Sequence, residues 1–142
     1  MKLKDIINVT GIAGLHKVIS QSKKNLIIES IINKKRIPLG TQHQANSLEE
    51  IGIYTYEDTI PISEVFKKIA EDTDYKETIN HKSPESEIKD YFRKIVENYD
   101  EDRVYVSNIR KVIQWYNLLQ SAGLIKKSIK KKNTKSLKTK KS

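Results

Sequence analysis

No cysteine occurs in the 142-residue chain. A disulfide framework, a thiolate metal site and a cysteine nucleophile are thereby excluded, and a reducing compartment is the expectation. Long apolar runs are also missing. None approaches the ~20 residues that a membrane-spanning helix needs, and the opening Met1-Lys2-Leu3-Lys4-Asp5 lacks the apolar stretch of a secretory signal. The expected address is the cytoplasm, with no membrane partner. Glycine is scarce, at five residues. No glycine-rich run leads into Lys-Ser or Lys-Thr as a phosphate-binding loop requires, and no serine is flanked by glycines as in a nucleophile elbow. With no catalytic motif in view, the chain reads as a non-enzyme with no cofactor.

Acidic residues are absent from the last seventeen positions, and this decides how the net charge of +9 is understood. Residues 1–43 carry eight Lys/Arg and two acids, and residues 44–125 carry ten and sixteen. These two segments cancel. Residues 126–142 hold nine lysines and no acid, so the whole formal excess belongs to the tail. The body is dipolar, basic at its start and acidic through its middle, while the tail is a polycation whatever the fold does. The tail also has almost no apolar side chains. It cannot bury enough surface to offset its ordering entropy, and is expected to be disordered.

What remains divides by hydrophobic period. Up to residue 60 the apolar residues come in short β-branched runs, at 15–19, 25–32, 36–40 and 51–56, separated by polar turn residues. Pro38 cannot donate to a ladder and belongs at a sheet edge, and residues 41–47 read as a polar loop. Four or five short strands in this length predict a small curled, SH3-like β-barrel. From residue 61 the period changes to 3.6. Ile62, Val65, Phe66, Ile69 and Ala70 form one stripe; Ile88, Tyr91, Phe92, Ile95, Val96 and Tyr99 a second; Ile109, Val112, Ile113, Tyr116 and Leu119 a third, widened by Trp115 and Leu118. Pro61 suits a first helical turn, Ser83-Pro84-Glu85 a helix start, Ser107 a cap and Gly123 a stop. Residues 72–83 read as a polar linker. The expected fold class is α+β: a β-rich unit at 1–60, a three-helix part at 61–125, and the Lys-rich tail at 126–142.

Thr10-Gly11-Ile12-Ala13-Gly14-Leu15, Ile51-Gly52-Ile53-Tyr54-Thr55, Tyr99-Asp100-Glu101-Asp102-Arg103-Val104-Tyr105 and Ile113-Gln114-Trp115-Tyr116-Asn117-Leu118-Leu119 together resemble a family of short, uncharacterised bacterial proteins. That family joins an N-terminal domain of unknown function to a small helical C-terminal one, and the likeness covers residues 1–125. Its pattern has Lys-Pro where this chain has Ile12-Ala13, and an aromatic residue where it has His16. The resemblance implies a two-part arrangement in the cytoplasm and brings no catalytic residue with it.

Candidate chemistry is sparse. His16, His43 and His81 are far apart, without metal-ligand spacing. Asp100-Glu101-Asp102 is the densest acid cluster; a cation needs converging oxygens, and consecutive residues are better suited to an acidic turn between helices. Gly11-Ile12-Ala13-Gly14 has the spacing of an RNA-clamping GXXG loop, but its centre is apolar and a strand follows, so a tight turn is expected. Tyr54 and Tyr56 share one strand face, as a stacking platform for bases or as packing between strands. Lys34-Lys35-Arg36 sits at a predicted hairpin tip, with Lys23-Lys24 at the neighbouring turn. Together with Lys126, Lys127, Lys130, Lys131, Lys132, Lys135, Lys138, Lys140 and Lys141, the residues Lys34, Lys35 and Arg36 are the candidates for binding a polyanion. Two functions are compatible with this pattern. One is an accessory protein that associates with RNA or a ribonucleoprotein through basic tail and turns. The other is a protein-interaction adaptor whose helical part binds a protein partner, the tail serving only solubility.

Overall fold

The computed structural model of the chain describes residue 3 and residues 5–21, 26–40 and 43–125. The expected disordered tail at 126–142 and the basic pair Lys23-Lys24 lie outside them. The architecture is α+β. Strands β1 (Ile6–Val9), β2 (His16–Gln21), β3 (Leu26–Ser30), β4 (Arg36–Leu39) and β5 (Ala45–Ser47) come first. They form one antiparallel sheet in the order β4-β3-β2-β1-β5. A single 3-10 turn, Leu48–Glu50, leads to a separate hairpin of β6 (Gly52–Tyr54) and β7 (Thr59–Pro61). Helices α1 (Ile62–Thr73), α2 (Glu85–Ile95) and α3 (Val106–Ser121) complete the described chain.

The five-stranded sheet stays open: β4 and β5 are its two edges, and no ladder joins them among the described residues. The segment 51–56, expected within the barrel, pairs with β7 instead. Residues 45–47, expected in a polar loop, form β5, registered against β1 as Ile7↔Ser47, Asn8↔Asn46 and Val9↔Ala45. An edge strand of this kind is held by main-chain bonds and needs no apolar side chain of its own.

The two faces of the sheet contribute to separate cores. Alternation along β1 sends Ile6 to one face and Ile7 and Val9 to the other, as the two-residue period of a strand requires. Ile7, Val9, Ile28 and Leu39 form a small core with the half-buried Ile12, Val18, Leu26 and Ile37 around it. On the other face Ile6, Leu15, Ile31 and Leu48 join the main core with the helices.

The helical stripes meet there, except that α2 ends at Ile95, so Val96 and Tyr99, expected on its stripe, are buried from the turn that follows it. Ile62, Val65, Phe66, Ile69 and Ala70 are buried along α1, and Ile88, Phe92 and Ile95 along α2. Six residues of α3 are buried, Trp115 and Tyr116 among them. Phe92 and Tyr99 pack edge to face with ring centroids 5.0 Å apart, a favoured aromatic geometry. The helix starts differ slightly from expectation. Pro61 ends β7 and stands at the cap position of α1, and Pro84 stands at the cap position of α2. α3 starts from Tyr105, whose N–H donates to Asn108 Oδ1 at 2.9 Å, so Ser107 falls inside the first turn.

Gly52 is required by a close approach. A Cβ there would lie 2.5 Å from Thr59 Cγ2 across the hairpin. Gly52→Ala is therefore expected to destabilise the protein by roughly 1–3 kcal/mol through overpacking. Adding Thr59→Gly should recover part of that loss. Urea unfolding of the two variants tests this, and equal losses in both would place the cost elsewhere.

Candidate functional site

Two regions stand out, one electrostatic and one concave. The first is the turn from β3 to β4. Ser30 Oγ accepts from Ile32 N at 3.2 Å and from Asn33 N at 3.3 Å, and Asn33 Oδ1 accepts from Lys35 N at 2.9 Å. These side-chain bonds fasten a tight loop in which Lys34 takes a left-handed conformation, φ 65°, a state rare outside glycine, asparagine and aspartate. The loop presents Lys34, Lys35 and Arg36 to solvent side by side. Arg36 donates Nε to Glu29 Oε2 at 3.0 Å, while Lys34 and Lys35 form no ion pair with a described residue.

The end of α3 stands against this turn. A small cavity of about 80 Å³ has Lys17, Glu29, Ile31 and Lys34 on one side and Ala122 and Leu124 on the other. Gly123, with φ 77°, stops the helix there as expected. Leu124, close to the point where the sequence becomes lysine-rich, is thus a neighbour of Lys34. The structure brings Lys34, Lys35 and Arg36 together; the nine tail lysines lie outside the described residues.

The second region lies between β6 and α3. Here the acidic turn is used internally. Asp100 is buried, and its carboxylate accepts from Arg103 Nε at 2.8 Å and from Asp102 N at 3.0 Å. The Arg103 hydrogen bond holds the Asp100 carboxyl below its ordinary range, against the opposing effect of desolvation. Glu101 pairs with Arg93 at 3.0 Å. The carboxylates thus serve different partners, and among the described residues no group of three or more His, Asp or Glu side chains could hold a metal. Tyr54 and Tyr56 dock onto the same turn: Arg103 Cζ sits 4.3 Å from the Tyr54 ring centroid, and Tyr56 Oη accepts from Glu101 N at 3.3 Å. Both rings thus find partners in the turn, while Tyr54 stands opposite Thr59 in the hairpin register.

Beside this junction a groove of about 370 Å³ opens between β6 and the first half of α3. Ile53, Val104, Val112 and Trp115 supply apolar walls, Tyr54 and Tyr105 rise exposed at its margin, and Arg103 and Lys111 bring positive charge. Sequence reasoning missed it because its walls are some fifty residues apart. The available signal was Tyr105, an aromatic residue outside every helical stripe.

The remaining candidates scatter. Gly11 and Gly14 have φ of 87° and 83°, between β1 and β2, as a tight turn requires. His43 Nδ1 accepts from Gly40 N at 3.2 Å, and His81 offers its carbonyl to Arg110 at 2.7 Å. His16 is buried on β2, opposite Ile7 and Ser30, and its Nδ1 has no hydrogen-bond partner among the described residues. Burial pushes its pKa below the ordinary 6.5. The unfolded chain therefore binds the proton more readily, and stability falls as pH drops below about 6.5, levelling off only beneath the lower folded value. His16→Phe is expected to flatten that part of the pH profile, as read from urea midpoints between neutral and mildly acidic pH. An unchanged acid-side slope would mean that other groups produce it.

The sequence pattern described as "Domain of unknown function (DUF5606)" matches residues 3–48, and that of "Domain of unknown function (DUF6852)" matches residues 51–119. A solution NMR structure of a structural-genomics target from Bacteroides vulgatus is similar at 37% sequence identity, with a TM-score of 0.73. The similarity covers 88% of this chain and 90% of that one. No curated protein matches the chain.

Proposed function

The chain belongs to the two-part family in which DUF5606 is followed by DUF6852, and on that footing we propose that it is a non-enzymatic accessory protein associating with RNA or a ribonucleoprotein through one basic end. The observation that carries this reading is the adjacency of Leu124 to Lys34 and Lys17. Nine lysines follow Ile125 in sequence, and Leu124, two residues before the first of them, lies beside Lys34. Clustered cations of this kind bind phosphates by releasing condensed counterions, with little regard for sequence. The N-terminal sheet is in this reading an SH3-like unit, whose β3–β4 turn holds its cations in a fixed geometry. Intracellular RNA is the partner that fits a cysteine-free protein with a polycationic segment.

The test is a titration of fluorescein-labelled single-stranded RNA followed by anisotropy. The Lys34→Ala, Lys35→Ala, Arg36→Ala triple variant should bind several-fold more weakly than the parent. A Lys67→Ala, Lys68→Ala control, altered on the exposed side of α1, should bind nearly as the parent does. Absence of binding by the parent at low salt removes the proposed function, and equal losses in both variants remove the special role of the turn.

A further inference from the structure

We propose that the groove between β6 and α3 docks a short extended segment of a partner protein that carries a bulky apolar side chain next to Asp or Glu residues. This goes beyond the RNA reading and rests on a different surface. The walls made by Ile53, Val104, Val112 and Trp115 are aliphatic and aromatic. A nucleobase edge needs acceptors as well as donors; Arg103 and Lys111 only donate, and the Asn108 side-chain oxygen is already taken by Tyr105 N. An apolar side chain needs no such groups and is favoured by the area it removes from water.

The exposed rings at the margin support the same occupant. Tyr105 is 63% and Tyr54 45% exposed, and tyrosines beside a partly open apolar groove are what interaction hot spots use. Among the described residues β6 has β7 as its one strand neighbour; on its other side Tyr54 O accepts from Asp100 N at 2.9 Å. Gly52 and Ile53 line the groove, and Gly52, which has no side chain, lets an extended segment approach the backbone there.

Charge selects the flanking residues. No acidic side chain lines the groove. Lys111 is exposed and makes no ion pair with a described residue, and Arg103 gives only its Nε to Asp100. A segment carrying Asp or Glu is therefore attracted, and the protein's own lysine-rich stretch is repelled. That stretch also starts beyond the C-terminal end of α3, whereas the groove lies along the first half of the helix.

The experiment selects displayed random peptides of about a dozen residues on the full-length chain. Enriched peptides are then measured against the parent, Lys111→Glu and Lys68→Glu. The two variants change net charge equally and leave every tail lysine in place, so attraction to the tail cancels between them. Enriched peptides should share an aromatic or aliphatic anchor with neighbouring acids. They should bind Lys111→Glu roughly tenfold more weakly and Lys68→Glu like the parent. No enrichment, a consensus without acids or without an apolar anchor, or equal losses in both variants would overturn the proposal. So would labelled single-stranded RNA that loses affinity for Lys111→Glu alone, since the groove would then be a nucleic-acid site. Melting curves of both variants that match the parent establish that the comparison concerns binding.

Discussion

Tyr116→Ala is expected to cost roughly 3–5 kcal/mol of stability, the range for removing a large buried aromatic side chain. Tyr116 is fully buried in α3, with its ring beside Phe66 at 6.4 Å between centroids. Its hydroxyl donates to Lys76 O at 2.8 Å and lies 3.0 Å from Thr73 Oγ1. That bond is one of several that fasten the segment between α1 and α2. Asn117 Nδ2 donates to Ile79 O at 3.0 Å while its Oδ1 accepts from Thr78 N at 2.9 Å, and Arg110 Nη1 donates to His81 O and Ser83 O, both at 2.7 Å. Tyr116→Phe keeps the ring and loses only the hydroxyl. It should cost roughly 0.5–1.5 kcal/mol, the worth of one hydrogen bond, because the Lys76 carbonyl keeps Thr73 Oγ1 as a second donor at 2.9 Å. Urea unfolding followed by far-UV circular dichroism separates the two. Equal costs would mean that the ring contributes nothing beyond its hydroxyl.

Trp115→Ala is expected to have a comparable effect, also roughly 3–5 kcal/mol. The side chain is only 8% exposed and belongs to the main core, while part of it lines the groove. A variant that melts like the parent would show that the indole is held by the groove alone. Its value would then have to be sought in binding.

The helices were legible because apolar side chains recur at 3.6-residue spacing, and positions 62, 65, 66, 69 and 70 admit one reading only. Strand partners were not. The run 51–56 is strand-like in itself, but nothing local says whether it pairs with the sheet or with Thr59–Pro61. Pro61 suits a first helical turn and equally suits the outer end of a two-stranded hairpin, where it stands opposite Gly52. Ala45-Asn46-Ser47 has no apolar pattern because an exposed edge strand needs none. The polar linker was legible as polar, but its attachment to Arg110, Tyr116 and Asn117 depends on contacts about thirty to forty residues apart in sequence. The candidate sites divide in the same way. The basic turn is contiguous and visible in the sequence as Lys34-Lys35-Arg36, whereas its proximity to Leu124 and the whole of the groove are products of folding.

The salt dependence of RNA affinity tests the basic-end account most directly. Single-stranded RNA is titrated at several salt concentrations with the full chain and with residues 1–125. If about half of the nine tail lysines meet phosphates, the log–log slope for the full chain should be roughly −3. Residues 1–125 should bind far more weakly with a shallower slope, and what affinity survives should fall further when Lys34, Lys35 and Arg36 are changed to alanine. Equal affinity and equal slope for the full chain and for residues 1–125, or no binding by the full chain at low salt, would contradict the account.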